Sequence, residues 1–131
     1  TFQAAFREKG VEPWVWMNHH KRLGSESSDE MKKWWARSMV ESGHYSTLVG
    51  VIRAEGTLEI EHELKQIRCP VLAIATEGSV LGSREQIEAW RQHIPHLESV
   101  TFPGDAYHVA AAHPDKAAEA ALSFLLRHFA R

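Results

Sequence analysis

The sequence predicts an α/β chain: a helical segment over residues 1–67, then strand, helix, strand, helix over residues 68–131. Three observations carry this reading. Before Arg68 the apolar stretches have helical spacing or helix punctuation, and none reads as a convincing strand. After it, "CPVLAIAT" is a short continuous apolar run bounded by Pro70 and Gly78, the profile of a strand buried in a parallel sheet. "SREQIEAWRQHI" then separates that run from "LESVTF", which ends at Pro103. A helix between two such strands implies parallel strands joined by a right-handed crossover.

The helical segment opens with "TFQAAFREKG", which stops at Gly10, a residue suited to a helix C-terminus. Thr1 begins the chain inside this helical pattern, which reads as a cut in a longer protein, with ordinary processing of the start as the alternative. "VEPWVWMNHHKRLG" places Pro13 where a first helical turn tolerates it. "SSDEMKKWWARSMVESG" has Ser27 three residues before Glu30, the spacing of a capping box. Met31, Trp35 and Met39 then recur every fourth residue, Trp34 widens the stripe, and Gly43 ends it. "HYSTLVGVIRAEG" and "LEIEHELKQI" read as further helices. In the second segment, Ser83 and Gln86 form another capping-box pair. The last helix carries Ala118, Leu122, Leu125 and Phe129 on one face, spaced to cover a sheet.

Composition bounds the function. A chain of 131 residues suits one domain with a real core. Its 44% apolar and 24% charged residues are those of a soluble globular protein. A formal charge of −2 gives no electrostatic reason to expect nucleic acid or an anionic membrane as partner. No apolar run approaches the roughly 20 residues that span a bilayer, and no secretory leader pattern opens the chain. Cys69 is the single cysteine and cannot form an internal disulfide, so a reducing, cytoplasmic setting is expected. Just before a strand it is expected to be a small buried thiol.

Ligands of parallel sheets bind beyond the carboxyl ends of the strands. Two loops occupy that edge, "TEGSVLGS" and "PGDAYHVAAAH". The second holds His108, in a position suited to a general base and equally open to a polar loop residue. Imidazole's unperturbed pKa of roughly 6.5 makes its neutral form available near pH 7. A metal reading finds no support in spacing. His19 and His20 are adjacent, His93 and His96 straddle Pro95, and His108 and His113 share a region with Asp105 and Asp115. None reproduces H-E-x-x-H or a Cys/His finger, so neither metal nor cofactor is expected. Asp105, beside Gly104, reads as a turn former, and His113 as the residue leading into a helix at Pro114.

The order of parts resembles the C-terminal half of an α/β-hydrolase: a helical section, "CPVLAIATEG", an amphipathic helix ending in "HIP", a strand, "PGDAYH" and a terminal helix. "EKGVEPWVWMNHHKRLG" and "EMKKWWARSMVESG" are similar in layout to caps of 3-oxoadipate enol-lactonase-type enzymes. The resemblance covers nearly the whole chain and implies hydrolysis of an ester or lactone of a small-molecule substrate. It places His108 where the family keeps its triad histidine. It implies Glu77, or an upstream aspartate, as the acid; the usual G-x-x-D acid position is held here by Gly78. It makes Trp34 and Trp35, with Trp14 and Trp16, candidates for lining a substrate site, although each also suits packing within the cap. The family's G-x-S-x-G-like elbow is absent: "YSTLVG" lacks the first glycine and "EGSVLG" lacks the spacing. The resemblance therefore implies a portion of a hydrolase, inactive alone, whose partner is the missing N-terminal half or a second copy. Two alternatives stand beside it. One is a cofactor-independent dioxygenase of the same fold; the other is a truncated domain that binds without turnover.

Overall fold

The computed structural model describes residues 10–42 and 60–130. The helices expected in "AAFREKG" and "HYSTLVGVIRAEG" lie outside the described residues. Helix α1 spans Val11–Leu23, bracketed by Gly10 and Gly24, both at φ 82°. Glu12 in its first turn and His20, Lys21 and Arg22 in its last suit the helix dipole. Helix α2 spans Asp29–Ser42. Its N-terminal cap is Ser28, whose Oγ accepts from the Met31 amide at 3.1 Å. The expected capping box of Ser27 and Glu30 is thus corrected by one residue. Ser27 instead donates its hydroxyl to the Leu23 carbonyl at 2.5 Å. A carbonyl left over at the end of α1 competes for that hydroxyl and wins it. The two helices pack through Trp14, Val15 and Ala36, with Val11, Met39 and Val40 around them.

The short helix expected at "LEIEHELKQI" is, over its described part, a 3₁₀ helix, Glu61–Gln66. Strand β1 (Val71–Thr76) then pairs in parallel with β2 (Leu97–Phe102), in register from Val71↔Leu97 to Thr76↔Phe102. Among the described residues these form a two-stranded sheet. Helix α3 (Arg84–His93) connects them. Its capping box forms as expected: Ser83 Oγ accepts from the Gln86 amide, and Gln86 Oε1 accepts from the Ser83 amide at 3.0 Å. Side chains alternate along a strand. Val71, Ala73 and Ala75 of β1 join Ile87, Ile94 and Leu97 in a core that Leu64, Ile67 and Trp90 extend. Ile74, between them in sequence, lines a cavity instead.

A short helix α4 (Val109–Ala112) leads into α5 (Pro114–Phe129), with the proline in its first turn. The face expected to cover the sheet is corrected here. Leu122, Leu125 and Phe129 are more than half exposed, while Ala117 and Phe124 are buried. This helix is apolar on more than one face. Its inward side carries Ala117 and Phe124, and its leucines Leu122, Leu125 and Leu126 turn outward. Glu98 on β2 pins the end of α5 through Arg127 and His128. The buried thiol expected at Cys69 is also corrected: Cys69 is exposed. It stands in the bend before Pro70, outside the ladder, and its carbonyl accepts from His96 Nε2 at 2.6 Å. No described helix is long and apolar enough to cross a membrane.

Candidate functional site

The loop after β2 is held on two sides. On the sheet side, the Glu77 amide donates to the Phe102 carbonyl at 3.0 Å and the Gly78 amide to the Gly104 carbonyl at 2.8 Å. The two loops at the carboxyl edge thereby run together. Gly104 sits at φ 110°, a conformation that side chains rarely adopt. Thr76, at the end of β1, donates its buried hydroxyl to the Ala106 carbonyl at 2.7 Å.

On the helical side, Asp105 Oδ1 accepts from the Ser25 amide at 2.8 Å and the Ser25 hydroxyl at 3.2 Å. The approach is tight enough that a Cβ on Gly24 would stand 2.8 Å from that oxygen. The expected turn former is therefore also a tether between loop and helical hairpin. Tyr107 donates its amide to the Lys21 carbonyl at 3.1 Å and His108 to the Arg22 carbonyl at 2.8 Å. Carbonyls in the last turn of a helix have no partner of their own; here the loop supplies them. His108 then accepts from the Ala111 and Ala112 amides and starts α4.

The His108 ring contacts Tyr107, with ring centroids 4.7 Å apart, and Trp35, at 5.0 Å and a 40° tilt. It lines an open cavity of about 530 Å³ together with Trp35, Ile74, Tyr107, Val109 and Ala117. That is a size typical of small-molecule sites, roughly 300–1,000 Å³. Burial holds the His108 pKa below its ordinary value, and the nearby Arg22 cation lowers it further. Both causes favour the neutral ring. No described side chain hydrogen-bonds to this ring. Arg22 is buried, with its guanidinium 4.7 Å from the Trp14 ring centroid and 6.0 Å from that of Tyr107.

Of the residues expected at a site, the fold brings His108 and Trp35 together. Trp34 stands outside, 59% exposed, with its ring edge against Trp35 at 6.0 Å. Trp14 belongs to the hairpin core and Trp16 is exposed. Glu77 is exposed, and its carboxylate makes no hydrogen bond or ion pair with any described residue. Ser79 is buried, and its hydroxyl closes a local turn, donating to the Leu81 carbonyl and accepting from the Leu81 amide. Among the described residues no three His, Cys, Asp or Glu side chains gather where a metal ion could sit. Sequence reasoning missed Arg22, Tyr107 and Ile74. Arg22 was concealed because a basic residue in a last helical turn is the ordinary case.

A neutral, half-buried imidazole facing an aromatic-walled cavity can accept a proton from a group placed in that cavity. Deprotonation of a neutral partner would leave an imidazolium beside Arg22, balanced by the anion formed on that partner or by a carboxylate close by. Neither the family models nor the curated proteins compared with this chain match it.

Proposed function

We propose that this chain is the base-bearing portion of an α/β-hydrolase-like enzyme that cleaves a small ester or lactone, with His108 as general base. The observation that carries the reading is His108 itself: a pKa lowered by burial, at the carboxyl edge of a parallel sheet, facing a cavity walled by Trp35. A nucleophile from another part of the enzyme attacks the carbonyl carbon. His108 accepts the nucleophile's proton as that bond forms, then gives it to the leaving oxygen as the ester bond breaks; a water that loses its proton to His108 next attacks the acyl group, and that proton passes to the nucleophile as its bond to the acyl carbon breaks. Glu77, whose loop is hydrogen-bonded to that of His108, is the candidate in this chain for the carboxylate that orients the ring; an upstream aspartate is the other. Trp35 shapes the substrate end of the cavity, and Trp34 extends it outward. The setting proposed is cytoplasmic, with the N-terminal half or a second copy of the chain as macromolecular partner.

In the enzyme carrying this segment, His108→Ala should lower kcat for ester or lactone hydrolysis by roughly 10²–10⁴-fold with little change in Tm. Retained turnover would overturn the role. A second reading is favoured by one observation, the lack of any described carboxylate on the His108 ring. A base that ionises an acidic aromatic substrate for reaction with dioxygen needs no such partner, because the substrate anion itself balances the imidazolium. Substrate-dependent oxygen uptake without ester hydrolysis would select that reading.

A further inference from the structure

The backbone of His108 is fixed more firmly than its ring. Its amide donates to the Arg22 carbonyl at 2.8 Å, and its carbonyl accepts from the Ala111 and Ala112 amides. Two torsions remain between backbone and imidazole, and the second is broad and roughly two-fold. No described side chain hydrogen-bonds to the ring. Its ring contacts are aromatic: Tyr107 of its own loop, with centroids 4.7 Å apart, and Trp35 of α2, at 5.0 Å. Both separations lie within the range, about 4.5–7 Å, at which such rings attract.

The core of its own hairpin does not account for Trp35. That core is Trp14, Val15 and Ala36, with Val11, Met39 and Val40 against it, and Trp35 stands outside the cluster. Among the described residues its ring meets Trp34, at 6.0 Å, and His108, and it lines the His108 cavity. A large side chain on α2 is thus buried in part against the histidine of a distant loop.

We propose that Trp35 is a positioning residue for His108: the indole, carried by the helical hairpin, holds the plane of the imidazole and shields it from water. The inference rests on the reading of His108 as a general base and deepens it. A carboxylate on a ring nitrogen would fix which nitrogen carries the proton; the aromatic contact fixes the ring plane, so the two roles are separate. Burial is the larger of the two causes that hold the His108 pKa below its ordinary value, and the indole contributes to that burial. Of the groups around the ring, Arg22 from α1 is charged and Tyr107 is titratable; Trp35 from α2, Ile74 from β1 and Ala117 from α5 are neither. Removing the indole admits water, which favours the imidazolium, while Arg22 remains. The His108 pKa should therefore rise toward, and stay below, the ordinary value of roughly 6.5.

The titration is read by NMR on the full chain, where the signal missing from His108→Gln identifies the His108 ring among 9 histidines. Trp35→Ala should raise the His108 pKa and weaken the NOEs between the His108 and Tyr107 rings. Trp35→Phe keeps an aromatic face and should leave both close to those of the parent chain. A role in folding alone would lower Tm in Trp35→Ala and leave pKa and NOEs where they were; that result overturns the proposal, as does a Phe variant no closer to the parent than the Ala variant. Should Trp35→Ala not fold, Trp35→Leu reads the same titration: a smaller rise in the same direction supports the role, and no rise overturns it. In the complete enzyme the acid limb of the kcat/KM profile should move up in Trp35→Ala along with the pKa. A His108 titration that follows Trp35 in an enzyme whose hydrolysis ignores His108→Ala would overturn the hydrolase reading alone.

Discussion

The His108 amide donates to the Arg22 carbonyl at 2.8 Å, so the histidine of the loop hangs directly from the last turn of the first helix. The same helix turn holds a cation that disfavours protonation of that histidine. One residue thus anchors the loop through its backbone and, through its side chain, adds to the burial that chiefly keeps the ring neutral.

Protonation should work against the fold. The His108 pKa is lowered in the folded chain, chiefly by burial. A group with a depressed folded pKa contributes its stability in full above the unfolded value, roughly 6.5 for histidine. That contribution is lost as pH falls through the folded value. Urea midpoints measured between about pH 7.5 and 5 should therefore decline toward acid. His108→Gln should flatten part of this decline, and an identical pH profile in the variant would refute it.

Glycines at the two ends of α1 should respond unequally. Gly10 and Gly24 share φ 82°, but only Gly24 has a neighbour in the way, Asp105 Oδ1 at 2.8 Å from an added Cβ. Gly10→Ala should cost about 1 kcal/mol, the backbone penalty alone. Gly24→Ala should cost about 2–3 kcal/mol, since it adds a clash that breaks the Ser25–Asp105 contacts. Chemical denaturation of the two variants tests the difference, and equal losses would show that the tether gives way freely.

The outer face of α5 should drive association. Leu122, Leu125, Leu126 and Phe129 are each more than half exposed, and a contiguous apolar patch of this kind favours burial against another surface. Sedimentation equilibrium of the chain should show mass rising with concentration. Leu125→Lys combined with Phe129→Lys should shift that rise to at least tenfold higher concentration. Association unchanged by the pair would move the contact to the open edges of the sheet.

Ester hydrolysis by the 131-residue chain should stay at background, because Ser79 spends its hydroxyl on Leu81 in a local turn. Turnover lost in Ser79→Ala, or on treatment with a serine-directed covalent inhibitor, would mean that this turn opens and frees a nucleophile.

What was legible in the sequence was what local rules govern. β1, β2 and α3 follow from a continuous apolar run, a strand pattern and a capping pair, and they stand within a residue or two of the expected bounds. The errors arose where an element competes with a neighbour it meets only in three dimensions. Ser27 went to a carbonyl of α1, not to the start of α2. In α5, two apolar stripes satisfy the same helical period, and spacing cannot say which one faces the sheet. The meeting of Trp35 with His108 is likewise a matter of tertiary placement; periodicity names Trp35 as a stripe residue and is silent about its partner.

The tether at the end of α1 has a consequence for how such a chain can vary. An α-helix turns by 100° per residue, and Tyr107 and His108 take consecutive carbonyls, those of Lys21 and Arg22. Inserting or deleting one residue within Val11–Leu23 would rotate both acceptors away and carry the Arg22 charge with them. The helical hairpin is therefore no interchangeable cassette set on the sheet. Hairpin and histidine loop form a single inherited unit, and graftings that keep the histidine while swapping the hairpin should discard the register that aims it.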